Sequence, residues 1–79
     1  MKHYLATFHT HLAALKTHRN LVGEGVQARM SPVPRKISSS CGTCVQYYAE
    51  EPMARCMDED VEAIYFLDGE QVELLKEFE

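Results

Sequence analysis

The chain has no tryptophan, no dense stripe of Lys and Arg, and no secretory leader pattern. No apolar run approaches the ~18–20 residues that a membrane-spanning helix needs. Each absence removes a class of protein. Without such a run there is no transmembrane segment. The N-terminal MKHYLATFHTH carries one Lys but no apolar core, so it does not read as a signal peptide. Nucleic-acid affinity rests on several clustered cations, and without them that role has no electrostatic footprint. The cysteine count is three, an odd number. With no export signal the expected location is cytoplasmic, where a structural disulfide framework is not expected.

What is present is an ordinary globular composition, 46% hydrophobic and 25% charged in 79 residues. That length allows one small domain, residues 1–79, with a core at about 3–67 and a tail over 68–79. The charge is unevenly placed. Residues 1–48 hold six cations against Glu24 alone, a net of +5, and residues 49–79 hold eleven carboxylates against Arg55 and Lys76, a net of −9.

Short elements alternate along the chain. Lys2 to Phe8 reads as a strand. Thr10 is placed to cap a helix whose apolar stripe runs through Ala14, Leu15, His18, Leu21 and Val22 and closes at Gly23 and Gly25. Val26, Ala28 and Met30 alternate with polar residues, as in a half-buried strand, and Pro32 and Pro34 end it. Thr43 to Tyr48 reads as a further strand with Val45 and Tyr47 on one face. Pro52, Met53, Cys56 and Met57 suggest a short helix, and Ala63 to Leu67 a buried strand. After the Asp68-Gly69 turn, Val72, Leu75 and Phe78 fit a final helix; a hairpin strand is the competing reading. The order βαββαβ is that of an α+β, ferredoxin-like sandwich, an antiparallel sheet with helices on one face, here with a short C-terminal helical tail. Its exposed edge strand is compatible with a homodimer.

The unusual segment is PVPRKISSSCGTC, Pro32 to Cys44. Arg35 and Lys36, five and six residues before Cys41, favour a thiolate there, and Ser38, Ser39 and Ser40 supply hydroxyls that donate to a sulfur anion. Gly42 lets a substrate or partner backbone approach the sulfur closely. The bland alternative is a flexible Ser-rich connection with an incidental Cys. Cys41 and Cys44 also form a C-x-x-C, open to a dithiol redox reading with Cys44 as resolving thiol. A zinc site would need Cys56 and His9 or His11 as well, but Cys56 shares a stripe with Met53 and Met57 and reads as a packed hydrophobe, so no metal and no cofactor are expected. His18 reads as a packed residue of the first helix, His9 and His11 as solvated, and Asp58-Glu59-Asp60 as a solvated connection.

Three stretches carry a family resemblance: YLATF near the start, the helix ending in LVGEGV, and above all PVPRKISSSCG. In these the chain resembles the selenium/sulfur (Se/S) carrier protein-like family of small bacterial proteins, over about residues 3–66. The resemblance implies a ferredoxin-like fold and a place in selenium or sulfur trafficking, with Cys41 as the carrier residue and Arg35 and Ser38 to Ser40 flanking it. It also implies donor and acceptor proteins as partners. Cys44 and the tail after Leu67 depart from the family pattern. So small a chain leaves little room for an enclosed active site, which favours a carrier over a self-sufficient enzyme. A small C-x-x-C thiol-disulfide protein and a non-catalytic interaction module are the alternatives.

Overall fold

The computed structural model describes residues 1–79. Five strands form one antiparallel sheet: β1 (Lys2–Phe8), β2 (Gln27–Pro32), β3 (Thr43–Ala49), β4 (Val61–Asp68) and β5 (Gln71–Glu77). Their spatial order is β2-β3-β1-β4-β5. The single helix α1 (His11–Gly23) begins where Thr10 accepts a hydrogen bond from the Ala13 N–H at 3.1 Å, as its N-cap role requires.

Strand alternation divides the side chains between two faces. Tyr4, Ala6 and Phe8 of β1 join Val45, Tyr47 and Ala49 of β3 and Ile64 of β4 against Ala13, Ala14 and Leu21 of α1. The opposite face buries Leu5 and Cys44 beneath Ile37, with Val33, Tyr65, Leu67 and Val72 around them. A sheet usually leaves one such face to water; here residues 33–42 cross it as a strap.

Three expectations need correction. The anticipated second helix is one 3₁₀ turn, Ala54–Cys56. Met53, at φ 58°, holds a left-handed conformation that an α-helix cannot continue through. Met53 and Cys56 are nevertheless buried against the main core, so the apolar pattern was right and the element was not. The C-terminal tail is likewise no helix but strand β5, joined to β4 through Gly69 at φ 61° in the first central position of a two-residue hairpin loop. With one helix, the fold is α+β without the helix pair of the expected sandwich. Val22 is also exposed, and α1 instead buries Ala13, Ala14, Thr17 and Leu21.

Two bulges matter for the site. Thr7 pairs with Ala63 and Phe8 with Val61, leaving Glu62 as an extra residue on β4. Ile64 pairs with Lys76 and Tyr65 with Leu74, leaving Leu75 extra on β5. A bulge bends its strand and re-aims the side chain it carries.

Candidate functional site

The strap is fastened at three places. At its base the Val33 N–H donates to the Gly42 carbonyl at 3.1 Å. At its tip the Ile37 N–H donates to Pro34 O at 3.0 Å, closing a turn over Arg35 and Lys36, and Lys36 Nζ donates to the Glu70 carbonyl at 2.7 Å. Ile37 itself is buried over Leu5 and Cys44. On the returning arm the fastening is Glu62. Its Oε1 accepts from Ser39 Oγ at 3.1 Å and from the Ser40 N–H at 3.1 Å, and its Oε2 accepts from Ser40 Oγ at 2.5 Å. His9 Nδ1 stands 3.3 Å from the same Oε2. Ser39 Oγ also lies 3.4 Å from the Phe8 carbonyl, so its one proton serves two acceptors. Burial pushes the Glu62 carboxyl up, but the Ser40 hydroxyl, the Ser40 amide, the Ser39 hydroxyl and His9 outweigh it and hold the group below its ordinary value.

Cys41 follows this clamp directly. It is half-buried against the helix-side core, and its thiol donates to the Thr43 carbonyl at 3.4 Å. Thr43 Oγ1 lies 3.4 Å from His11 Nδ1, the first residue of α1. His9 and His11, expected to be solvated, are exposed; His9 stands beside Glu62, and His11 beside Thr43, two residues after Cys41.

Cys44 is placed quite differently. It is 0% exposed on the strap-covered face, with Sγ 3.3 Å from Ser31 Oγ and its thiol directed at Pro32 O. Burial pushes its thiol up, against the opposing pull of the Ser31 hydrogen bond and Arg29; nearby Cys41 adds to the rise. Beside it in register is Thr7, whose buried hydroxyl has no partner. Cys56 belongs to the helix-side core, and burial pushes its thiol up too. Cys44 and Cys56 therefore lie on opposite faces of the sheet and cannot share one metal ion.

Of the residues singled out in the sequence, Ser39, Ser40, Cys41 and Gly42 are brought together on the returning arm. Lys36 is not with them: it is tied to the β4–β5 turn, about 20 Å along β4 from Glu62 at roughly 3.3 Å per residue. Arg35 and Ser38 are exposed on the strap, and Gly42 holds φ +76° as the chain enters β3. Glu62 was missed. The signal for it was a lone carboxylate, flanked by Val61 and Ala63, at the head of the most apolar strand.

Comparison with known proteins adds a family. The sequence model of the family described as "Putative Se/S carrier protein-like" matches residues 3–65. The uncharacterized protein YtiA of Escherichia coli (strain K12) is 33% identical over 45 residues, 57% of this chain and 53% of that protein. The chain thus spans about half the length of that curated relative. No solved structure matches it.

Proposed function

Because this chain belongs to the Se/S carrier protein-like family, we propose that Cys41 is the residue that carries the chalcogen atom, as a persulfide or selenopersulfide. One observation supports this above the others: of the three free thiols, Cys41 alone is not buried. In charging, the Cys41 sulfur attacks the outer sulfur of a donor persulfide; an S–S bond forms to Cys41, the donor's S–S bond breaks, and the donor leaves as a thiolate. No electrons are gained or lost overall. In discharge the acceptor protein's nucleophile attacks the outer atom and Cys41 leaves in turn. The acceptor supplies the walls of the active site that this small domain lacks.

With Ser39 and Ser40 engaged by Glu62, the backbone around Gly42 is what adjoins the terminal anion on Cys41, and the exposed Arg35 and Ser38 contribute only by turning toward it from the strap. Lys36 contributes only if it leaves the Glu70 carbonyl. Cys44 acts as a resolving thiol only if the strap lifts from it, so discharge to the partner is the simpler course.

Intact-mass spectrometry after incubation with glutathione persulfide tests the proposal. A gain of one sulfur atom, absent in Cys41→Ser and removed by dithiothreitol, is expected. Selenodiglutathione in place of the persulfide reads selenium loading. A loss of two hydrogens with no adduct overturns the carrier reading in favour of dithiol redox chemistry. No mass change with either reagent leaves the interaction module.

A further inference from the structure

The sheet has two outer strands, and only one of them is shut. β5 carries the bulge at Leu75 and the charges of Glu73, Lys76 and Glu77, devices that keep a further strand from pairing with it. β2 is regular, and its register on β3 runs without a shift from Gln27 to Pro32. That register continues to Val33 and Gly42, where the Val33 N–H donates to the Gly42 carbonyl at 3.1 Å. Bonded and non-bonded pairs alternate in an antiparallel ladder. Arg29 and Ser31 therefore bond to β3, while the N–H and C=O groups of Ala28 and Met30 point outward. The Pro32 carbonyl points outward too, with no N–H beside it. One outward group is already taken, since His18 Nε2 donates to the Ala28 carbonyl at 3.2 Å.

The edge thus lacks a donor at Pro32 and a free acceptor at Ala28, and a second copy of the same edge matches both gaps. With two β2 strands antiparallel about a two-fold axis at Met30, each Met30 N–H meets the Met30 carbonyl of the second copy. Ala28 faces Pro32 of the second copy, and its N–H donates to that carbonyl. The reciprocal bond would join an N–H that Pro32 lacks to a carbonyl that His18 occupies, so no group is left over. Slipping one strand by two residues spoils the match in either direction. One slip sets Arg29 against Arg29 of the second copy, and the other leaves the Met30 carbonyl facing Pro32 without a donor.

The flank of α1 beside this edge agrees. Leu15 and Val22, three residues before His18 and four after it, share its side of the helix. Val22 belongs to the apolar stripe yet is 52% exposed. Two-fold pairing puts both helices on one face of the joined sheet, with these flanks turned toward each other. We propose that the chain self-associates through β2, joining two five-stranded sheets into one continuous sheet. Gln27 of the second copy then lies opposite Val33 at the base of the strap, so each Cys41 arm is bordered by the other copy. The proposal stands apart from the carrier reading.

Sedimentation velocity and hydrogen exchange over a range of concentrations test it, with dithiothreitol present to exclude a disulfide through Cys41. A monomer–dimer equilibrium is expected. The Ala28 and Met30 amides should exchange fast when dilute and slowly in the dimer, while the Arg29 amide is protected throughout. Met30→Pro removes the central outward donor, at a position where an edge strand tolerates proline. Val22→Asp places a charge on the exposed flank and remains informative even if Met30→Pro fails to fold. Each should weaken the dimer about tenfold or more, and Leu75→Asp on β5 should leave it unchanged. A protein monomeric at every concentration overturns the proposal. So does a dimer whose Ala28 and Met30 amides still exchange fast, or one dissolved by Leu75→Asp and not by Val22→Asp.

Discussion

Truncating Ile37 to Ala is the most direct perturbation of the strap. Ile37 is 7% exposed and is the one strap side chain fully seated in the second core, where it meets Leu5 and Cys44. An Ile→Ala change in a core costs about 2–5 kcal/mol. The strap has solvent on its outer side and can settle into part of the gap, so the lower end, about 2–3 kcal/mol, applies. A 79-residue domain has on the order of 4–12 kcal/mol of stability in all. The variant should therefore fold, with its strap held much more weakly. Since about 1.4 kcal/mol is tenfold, the fraction of time that Cys44 is uncovered should rise roughly 30- to 150-fold.

Pulsed alkylation with iodoacetamide, mapped peptide by peptide, measures this for each thiol. In the native protein Cys41 should react readily and Cys44 slowly. Ile37→Ala should raise the Cys44 rate by the factor above. Leu21→Ala provides the decisive control, because Leu21 is fully buried on the helix side and its contacts survive when the strap lifts. It lowers global stability but should leave the Cys44 rate unchanged. If Leu21→Ala accelerates Cys44 as much as Ile37→Ala does, Cys44 is reached only by complete unfolding, and the strap is not a separate unit. If Cys44 in the native protein reacts as fast as Cys41, the burial argument fails outright.

Glu62 predicts an acid-side dependence of stability. Its folded-state value is depressed, so its contribution is present above the unfolded carboxyl value of 4.5 and is lost as pH falls through the lower folded value. Urea midpoints of Glu62→Gln should accordingly show a shallower decline below that pH than the native protein. Thr7 is 1% exposed with an unpartnered hydroxyl, and Thr7→Val should raise stability by about 1–2 kcal/mol, read as a higher urea midpoint with m unchanged; a loss of stability would mean that the hydroxyl has a partner. Gly69→Ala places a Cβ at φ 61° and should cost about 1 kcal/mol, seen as faster hydrogen exchange in β5 than in β1. Equal acceleration in both strands would refute a local hairpin effect.

The elements with clean periodicity were legible in the sequence. β1 spans the seven residues read as a strand, and Thr10 caps α1 as its position suggested. The tail misled for a physical reason. Val72, Leu75 and Phe78 are spaced by three, which imitates a helix, but Leu75 is the bulged residue of β5, and the inserted residue breaks the period of two. Glu62 escaped notice for the same reason, since a bulge turns a residue out of the alternation by which a strand is recognised. The place of Cys44 was half legible. Alternation with Val45 and Tyr47 assigns it to the opposite face, but nothing local reveals that a loop will cover that face.

The division of charge along the chain does not persist in space, and this changes how an anion at Cys41 has to be stabilised. β4 comes from the acidic half, yet it pairs with β1 and so carries Glu62 beneath the strap of the basic half. Lys36 is meanwhile drawn to a carbonyl at the far end of β4. A carboxylate two or three bonded groups from a reactive sulfur would repel a persulfide anion if its charge were unscreened. Here both oxygens of Glu62 accept hydrogen bonds from the strap, Oε1 from the Ser39 hydroxyl and the Ser40 amide and Oε2 from the Ser40 hydroxyl. The strap's own hydroxyls and amide thus offset the Glu62 charge next to Cys41, a task that no nearby cation takes on once Lys36 is tied to the far turn.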